Sequence, residues 1–229
     1  MSKIKAMILA AGRGERMRPL TDTLPKPLVK VGDKPLIVYH IERLVAAGIS
    51  DIVINHAHLG EQIEAALGNG SALSANIVYS PEPSGGLETA GGIIQALPLL
   101  GEQAFLLVNG DVWTDYDFSQ LAKYQLQGFL AHLVMVKNPP QKTQGDFVLS
   151  DNILSDAVHA NTQKALTFAG ISMLSPQLFT GLEGGRRALA PLFREAMSQS
   201  LVSGEFYAGD WEDVGTIERL EALRQRLEQ

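Results

Sequence analysis

Hydrophobic residues along the first half of the chain follow two alternating spacings. Short, continuous apolar runs are typical of buried parallel strands, and they occupy residues 5–10, 51–55, 75–79 and 105–109. Between them, apolar residues three or four positions apart predict helices, which cover residues 35–48, 60–67 and 89–97. This alternation predicts an α/β fold built on a doubly wound, mostly parallel, mixed sheet.

The second half of the chain continues with fewer regular segments. It has a predicted strand at 131–136 and predicted helices at 118–126 and 217–227, the last with an amphipathic pattern of alternating charges. The chain has 229 residues, of which 45% are hydrophobic, and this suffices for one large core. We therefore expect a single domain that spans residues 1–229.

Charge and composition exclude several classes of protein. The net charge of −6 provides no broad positive field for a nucleic-acid polymer. The sequence contains no cysteine, which excludes disulfides and leaves only oxygen and imidazole ligands for a metal. No apolar run approaches the roughly 18 residues that would span a membrane, and the first strand follows without a signal segment. We expect a cytoplasmic protein that binds neither nucleic acid nor membrane, and a monomer is the simplest expectation.

The first strand runs into a loop that is rich in glycine and arginine. Gly12 and Gly14 allow positive φ angles and let backbone N–H groups turn toward an anion. The φ angles of Pro25 and Pro27 are fixed on both sides of Lys26, which lowers the entropic cost of aiming its ammonium group. The cationic side chains of the loop are Arg13, Arg16, Arg18 and Lys26. Such a cluster in an acidic protein predicts a site for a small anionic ligand.

This loop matches neither of the two common glycine motifs that follow a first strand. A P-loop ends in Gly-Lys-Ser/Thr, whereas residues 12–15 are Gly-Arg-Gly-Glu. A dinucleotide fingerprint has a third small residue three positions after its second glycine, where this chain has Met17. The mismatch makes a nicotinamide-dependent dehydrogenase a poor alternative.

Polar segments follow two of the predicted strands, at the edge of the sheet where α/β proteins bind ligands. Asp111 comes directly after the strand at 105–109, and its carboxylate suits Mg²⁺, which prefers carboxylate oxygens together with phosphates and waters. An aspartate that caps a turn is the alternative interpretation. Residues 80–92, rich in proline and glycine, are typical of a binding loop or of a mobile surface turn.

The ordered segments LAAGRGERMRPLT, residues 9–21, and PKPL, residues 25–28, resemble the signature of the sugar-1-phosphate nucleotidyltransferases, which make nucleoside-diphosphate sugars. The resemblance extends over nearly the whole chain. It implies a Rossmann-like nucleotidyltransferase fold, with a nucleotide-binding half at about 1–115 and a sugar-binding half at about 116–229. It also implies an NTP, a sugar 1-phosphate and Mg²⁺ as ligands.

The resemblance implies roles for individual residues. Asp111 and the late Asp213 would hold Mg²⁺ on the phosphates, while Lys26 and Arg16 would stabilise phosphate charge during transfer. Because the attacking sugar phosphate is already an anion, this chemistry needs positioning and electrostatic stabilisation, not a general base. The nucleotide-binding residues would be Ala11, Gly12, Arg13, Gly14, Lys26, Glu82 and Gly86, and the sugar-binding residues would be Asn109, Asp146 and Gly170.

The nucleobase and the sugar stay open on the residues alone. A carboxylate at Glu82 accepts the N3–H of uracil or the N1–H and N2–H of guanine. Within the family, the segments LETAGG, VNGDVWTDYDF and GDWEDVGT are most similar to the N-acetylmuramic acid 1-phosphate uridylyltransferases of cell-wall recycling, which implies UTP. A mannose- or heptose-1-phosphate guanylyltransferase is the alternative. A non-catalytic nucleotide-sensing protein is a more distant one, because Lys26, Asp111 and Asp213 are all present.

Overall fold

Strands and helices alternate through the first half of the protein, in a computed structural model that describes residues 4–157 and 164–228. The strands are β1 Ala6–Leu9, β2 Lys30–Val31, β3 Lys34–Pro35, β4 Asp51–His56, β5 Asn76–Pro81, β6 Phe105–Asn109, β7 Val112–Thr114, β8 Ala131–Val136, β9 Phe147–Ser150, β10 Ile153–Asp156, β11 Ala165–Leu174, β12 Val202–Phe206 and β13 Trp211–Asp213. The α-helices are α1 Leu36–Ala46, α2 Gly60–Leu67, α3 Glu88–Leu100, α4 Ser119–Lys123, α5 Ala190–Ser198 and α6 Ile217–Leu227.

Nine of these strands form one mixed sheet in the order β5-β4-β1-β6-β11-β8-β12-β10-β9. β1 runs parallel to β4 and β6, and β4 runs parallel to β5. The direction changes in the second half, because β11 pairs antiparallel with both β6 and β8. The predicted α/β fold with a mixed, doubly wound sheet is therefore confirmed, and the parallel pairings are concentrated in the first half of the chain.

Successive residues of β1 point to opposite faces of the sheet, and each face has its own hydrophobic core. Ile8 belongs to one core together with Ile41 of α1, whereas Met7 belongs to the other together with Ile93 of α3. All four residues are fully buried. Because helices cover both faces, β1 and β6 consist almost entirely of apolar residues.

Two short strands outside the large sheet connect distant parts of the chain. β7 pairs antiparallel with β13, and Val112 lies opposite Asp213. The N–H of Val214 donates to the carbonyl oxygen of Asp111 at 3.0 Å. A third hydrophobic cluster, in which Trp113 and Val214 are buried, packs this pair against α6. The sequence patterns do not predict this pairing, which places residues 111 and 213 side by side.

The second half also contains β9, β10, β12 and α5, which hydrophobic spacing does not predict. β9 and β10 form a hairpin whose two-residue turn, Asp151 and Asn152, has positive φ angles at both positions, as a type I′ turn requires. Short strands with polar neighbours give a weak periodic signal. α4 is shorter than the predicted 118–126, because the chain becomes extended at Tyr124. Among the described helices, none is long and apolar enough to cross a membrane.

Candidate active site

A cleft of about 640 Å³ opens at the carboxyl ends of β1 and β6. The last residues of these strands, Leu9 and Asn109, lie opposite each other in the sheet, and both line the cleft. Most residues that the sequence assigns to a site lie along it: Ala11, Gly12, Arg13, Gly14, Arg16, Lys26, Glu82, Gly86, Asn109 and Asp111. Within the described part of the chain, the predicted residues outside this lining are Asp146, Gly170 and Asp213.

The loop after β1 folds back on itself. Gly14 has a φ of +70°, which favours glycine, and a Cβ there would lie 2.9 Å from Cγ2 of Thr21. The hydroxyl of Thr21 donates to the carbonyl oxygen of Gly14 at 2.8 Å. No heavy atom of the described chain lies within 4 Å of the place where a Cβ of Gly12 would stand. Gly14 therefore serves close packing within the loop, whereas Gly12 leaves open space.

Lys26 connects this loop to the segment after β6. It opens a single 3-10 turn, Lys26–Leu28, after an extended Pro25, and only 7% of its surface is exposed. Its Nζ donates to Oδ2 of Asp111 at 2.8 Å. The Asp111 side chain is 41% exposed, so its carboxylate remains open to the cleft. The structure thus joins two predicted site residues that lie far apart in the sequence.

Asp213 lies next to the cleft and is held by α6. Its Oδ2 accepts a hydrogen bond from Nη1 of Arg219 at 2.7 Å. Gly215, two positions later, lines the cleft. A Cβ at Gly215 would lie 2.8 Å from Nη2 of Arg16, 3.0 Å from Nη1 of Arg219 and 3.0 Å from Oδ1 of Asp213. These three side chains therefore converge around a glycine that leaves room for all of them.

Asp111 and Asp213 offer carboxylate oxygens, the donor type that a hard divalent cation such as Mg²⁺ prefers. The pairing of β7 with β13 brings their backbones side by side. In the described ranges, no group of three or more His, Cys, Asp or Glu side chains is arranged to hold a metal ion. Two protein carboxylates suit Mg²⁺ well, because that ion usually keeps several waters and takes further ligands from substrate phosphates.

Glu82 stabilises the loop that follows β5. Its Oε1 accepts from Nδ2 of Asn55 at 2.6 Å, and its Oε2 accepts from the N–H of Leu87 at 2.7 Å. Oδ1 of Asn55 in turn accepts from the N–H of Ala10 at 3.0 Å. Each carboxylate oxygen can accept a second hydrogen bond, so Glu82 lines the cleft with acceptors that are already fixed in place. Recognition of a nucleobase by Glu82 and by the nearby Gly86 stays a prediction.

The guanidinium of Arg13 is engaged by the protein itself. Nη1 donates to the carbonyl oxygen of Thr21 at 2.9 Å, and Nη2 pairs with Oδ1 of Asp22 at 3.0 Å. Nη1 also contacts Nε2 of His58, which follows β4. Arg13 lines the cleft, but these contacts use its charge to hold the loop in shape. A direct contact between Arg13 and a nucleotide stays a prediction.

On the predicted sugar side of the cleft, β11 passes close to the end of β6. Gly170 has a φ of +75°, and a Cβ there would lie 2.7 Å from Cγ of Asn109, so a larger residue would collide with Asn109. Oδ2 of Asp146 accepts from the N–H of Phe168 at 2.9 Å and pairs with Nζ of Lys142. Asp146 therefore ties the polar loop before β9 to the part of β11 that contains Gly170.

A buried histidine supports the backbone directly after Asp111. Nε2–H of His40, in α1, donates to the carbonyl oxygen of Val112 at 2.8 Å. Burial lowers the pKa of His40 to about 4, although its hydrogen bond to Val112 acts in the opposite direction. The imidazole is therefore neutral at pH 7 and acts as a fixed hydrogen-bond donor behind the cleft.

Residues 5–229 match the model of the Nucleotidyl transferase family. The chain belongs to this family. It is 58% identical over 222 residues to the N-acetylmuramate alpha-1-phosphate uridylyltransferase of Neisseria meningitidis serogroup B, and the alignment covers 95% of each chain. It is 33% identical to the protein of the same name from Caulobacter vibrioides, over 97% of this chain and 96% of that one.

A solved structure supports the fold of this nucleotidyl transferase independently. A chain described as a glucose-1-phosphate thymidylyltransferase from Bacillus anthracis superposes with a TM-score of 0.85, over 97% of this chain and 94% of that one. The two sequences are only 19% identical, so the likeness concerns the fold alone. It confirms the predicted nucleotidyltransferase fold.

The sequence patterns do not single out three side chains that lie in or beside this cleft. Asn55 lies near the carboxyl end of β4, so the strand-end rule that singles out Asp111 also points to Asn55. Arg219 lies in an amphipathic helix, where an arginine normally faces water. Arg186 lines the cleft from a segment between β11 and α5, and its Nε lies 3.0 Å from Oε1 of Glu88. The last two contacts depend on the folded chain and leave no local signal.

Proposed function

We propose that this nucleotidyl transferase moves a uridylyl group from UTP to N-acetylmuramate alpha-1-phosphate and releases pyrophosphate. The observation that carries the proposal is the high identity, over nearly the full length of both chains, to the Neisseria relative of that name. The cleft adds cations at Lys26 and Arg16 and the carboxylate of Asp111, and Asp213 lies next to it; such a transfer needs groups of these kinds. A single domain of residues 1–229, acting as a monomer in the cytoplasm, is the simplest setting for this reaction.

In the proposed reaction, an oxygen of the sugar phosphate attacks the α-phosphorus of UTP. A new P–O bond forms to this oxygen, the bond from the α-phosphorus to the bridging oxygen breaks, and pyrophosphate leaves with that electron pair. The attacking oxygen is already anionic at neutral pH, so no side chain has to remove a proton from it. The barrier therefore lies in the repulsion among negative charges and in the alignment of two ligands.

Lys26 and Arg16 are the proposed catalytic cations. Lys26 is buried and tethered to Asp111, so its ammonium group needs little reorganisation as charge develops on the phosphates. Asp111 and Asp213 would hold Mg²⁺, which when bound neutralises charge on the triphosphate and assists the departure of pyrophosphate. Lys26 and Arg219 each contact Oδ2 of one carboxylate, which fixes the orientation of both carboxylates.

The remaining predicted residues would divide between the two substrates. Arg13 would shape the phosphate loop through its contacts with Thr21 and Asp22. The acceptor oxygens of Glu82 would receive the N3–H of uracil. The other nucleotide contacts would come from Ala11, Gly12, Gly14 and Gly86, and the sugar contacts from Asn109, Asp146 and Gly170.

The test is a substrate panel. Purified protein is incubated with Mg²⁺, with UTP, GTP, ATP or dTTP, and with each of several sugar 1-phosphates, while pyrophosphate release is followed. We expect turnover with UTP and N-acetylmuramate alpha-1-phosphate, and loss of turnover when a chelator removes Mg²⁺. Turnover with GTP and mannose 1-phosphate instead would support the guanylyltransferase alternative. Nucleotide binding without any turnover would support the sensing role.

A further inference from the structure

The cationic side chains along the cleft come from two separate segments of the chain. Of those in the described part of the chain, Arg13, Arg16 and Lys26 belong to the loop after β1, and Arg186 comes from the segment between β11 and α5. The loop already has protein partners for its charges, since Arg13 pairs with Asp22 and Lys26 pairs with Asp111. Arg186 is thus a separate positive group from a different segment of the chain, and the proposed reaction does not yet use it.

The backbone around Arg186 is fixed to the first turn of α3. The N–H of Arg187 donates to the carbonyl oxygen of Leu87 at 2.9 Å, and the carbonyl oxygen of Arg187 accepts from the N–H of Gly91 at 3.1 Å. A Cβ at Gly91 would lie 2.2 Å from the carbonyl oxygen of Gly185, so the two segments pack as closely as a glycine allows. The fold therefore fixes the backbone at residue 186.

The side chain of Arg186, in contrast, has only a weak partner. It is 69% exposed, and its Nε lies 3.0 Å from Oε1 of Glu88, whose side chain is 41% exposed. Exposed pairs of this kind contribute little, because water competes for both charges. Glu88 also has a φ of +59°, a conformation that side-chain-bearing residues rarely adopt and that clusters at ligand sites. A carboxylate from a ligand could therefore replace Glu88 at Arg186 at low cost.

We infer that Arg186 determines specificity for an acidic sugar by binding its carboxylate. The inference rests on the proposed function, because N-acetylmuramate differs from N-acetylglucosamine by a lactyl ether that carries a carboxylate. The planar guanidinium presents parallel N–H groups that match the two oxygens of a carboxylate. The phosphate of the sugar would lie near Lys26 and Asp111, which are already paired with each other, so a second negative group of the sugar would need a different cation of the cleft, and Arg186 is one.

The test compares Arg186→Ala, Arg186→Lys and Arg187→Ala with the unmodified chain. Arg187→Ala is the matched control. The Arg187 side chain is not part of the described cleft lining, and Arg187→Ala keeps the backbone hydrogen bonds of the segment. The measured quantities are kcat/KM for N-acetylmuramate 1-phosphate and for N-acetylglucosamine 1-phosphate, the KM for UTP, and Tm.

For Arg186→Ala we expect kcat/KM for the acidic sugar to fall roughly 10- to 100-fold, the usual effect of losing a hydrogen bond between charged groups. The neutral sugar, the KM for UTP and Tm should hardly change, because the side chain is exposed. Arg186→Lys should recover part of the loss, since it restores the charge but not the paired N–H groups. Arg187→Ala should behave like the unmodified chain.

Four results would overturn the inference. Equal losses for both sugars would mean that Arg186 binds a group common to them, such as the phosphate. A raised KM for UTP would assign it to the nucleotide. If the unmodified chain prefers the acidic sugar and Arg186→Ala keeps that preference, the role of Arg186 falls while the proposed function stands. If the unmodified chain turns over only neutral sugars, both fall together.

Discussion

Removing the Lys26 ammonium group should lower kcat strongly and change the stability of the fold only slightly. The side chain of Lys26 is 9% exposed, and its Nζ lies 2.8 Å from Oδ2 of Asp111. The substitution Lys26→Met keeps an unbranched, flexible apolar side chain in the same space and removes the charge. The variant therefore tests the ammonium group itself and leaves most of the packing of the loop intact.

The expected cost to stability is small, and the expected cost to catalysis is large. The Asp111 side chain is 41% exposed, so water can hydrate its carboxylate once the ammonium is gone, and such a partly exposed pair is worth about 1 kcal/mol or less. Removal of one pre-organised donor to developing charge typically costs about 3 to 4 kcal/mol in the transition state. This corresponds to a kcat that is roughly 100- to 1000-fold lower.

Pyrophosphate release at saturating substrate measures kcat, and urea unfolding measures the free energy of unfolding. Lys34→Met is the matched control, because Lys34 pairs with Glu42 at 2.6 Å in an exposed position outside the described lining of the cleft. It should keep nearly full activity. The reasoning would be refuted if Lys26→Met kept more than about a tenth of kcat, or if it lost more than about 3 kcal/mol of stability.

Two further predictions concern the structure around the cleft. The pKa of His40 lies at about 4 in the folded chain and at 6.5 when unperturbed, so between these values the unfolded chain binds a proton that the folded chain does not. The free energy of unfolding should therefore fall by about 3 kcal/mol from pH 6.5 to pH 4, and urea unfolding of His40→Gln should show a flatter pH dependence. Gly91→Ala should destabilise the protein by about 1 to 3 kcal/mol in the same assay, because the new Cβ collides with the backbone of Gly185. Helix propensity alone predicts that Gly91→Ala makes the protein more stable, so a more stable variant would contradict the collision. Gly184→Ala is the control and should hardly change the stability, because its Cβ meets no described atom within 4 Å.

Local sequence patterns predict the bounds of those elements whose hydrophobic pattern extends over their full length. The strand at 105–109 and the helices at 60–67 and 217–227 have their predicted bounds in the structure, because the apolar run or the helical spacing that predicts each of them extends over its whole length. β7 and β13 are only three residues long each and lie far apart in the sequence. Their pairing depends on the packing of Trp113 and Val214 with α6, which no local pattern contains.

The candidate site, too, could be predicted from the sequence only in part. Strand ends of a parallel sheet lie at one edge, so the sequence alone predicts that Asp111 lies near the loop that follows β1. Which groups the side chains contact could not be predicted. Both carboxylate oxygens of Glu82 accept hydrogen bonds within the protein. The guanidinium of Arg13 donates to the carbonyl oxygen of Thr21 and pairs with Asp22. These choices depend on side-chain rotamers and on neighbours from other elements, and spacing along the chain does not encode either.

The ion pairs of the cleft explain how a distant helix contributes to the proposed chemistry. Lys26 contacts Oδ2 of Asp111, and Arg219 contacts Oδ2 of Asp213, so each carboxylate meets a cation from a different element. Because folding already orders these four side chains, ligand binding does not have to supply the free energy for that ordering. Arg219 and Asp213 both lie outside the described lining of the cleft, but they flank Gly215, which lines it. The amphipathic helix α6 therefore positions one half of the proposed metal site.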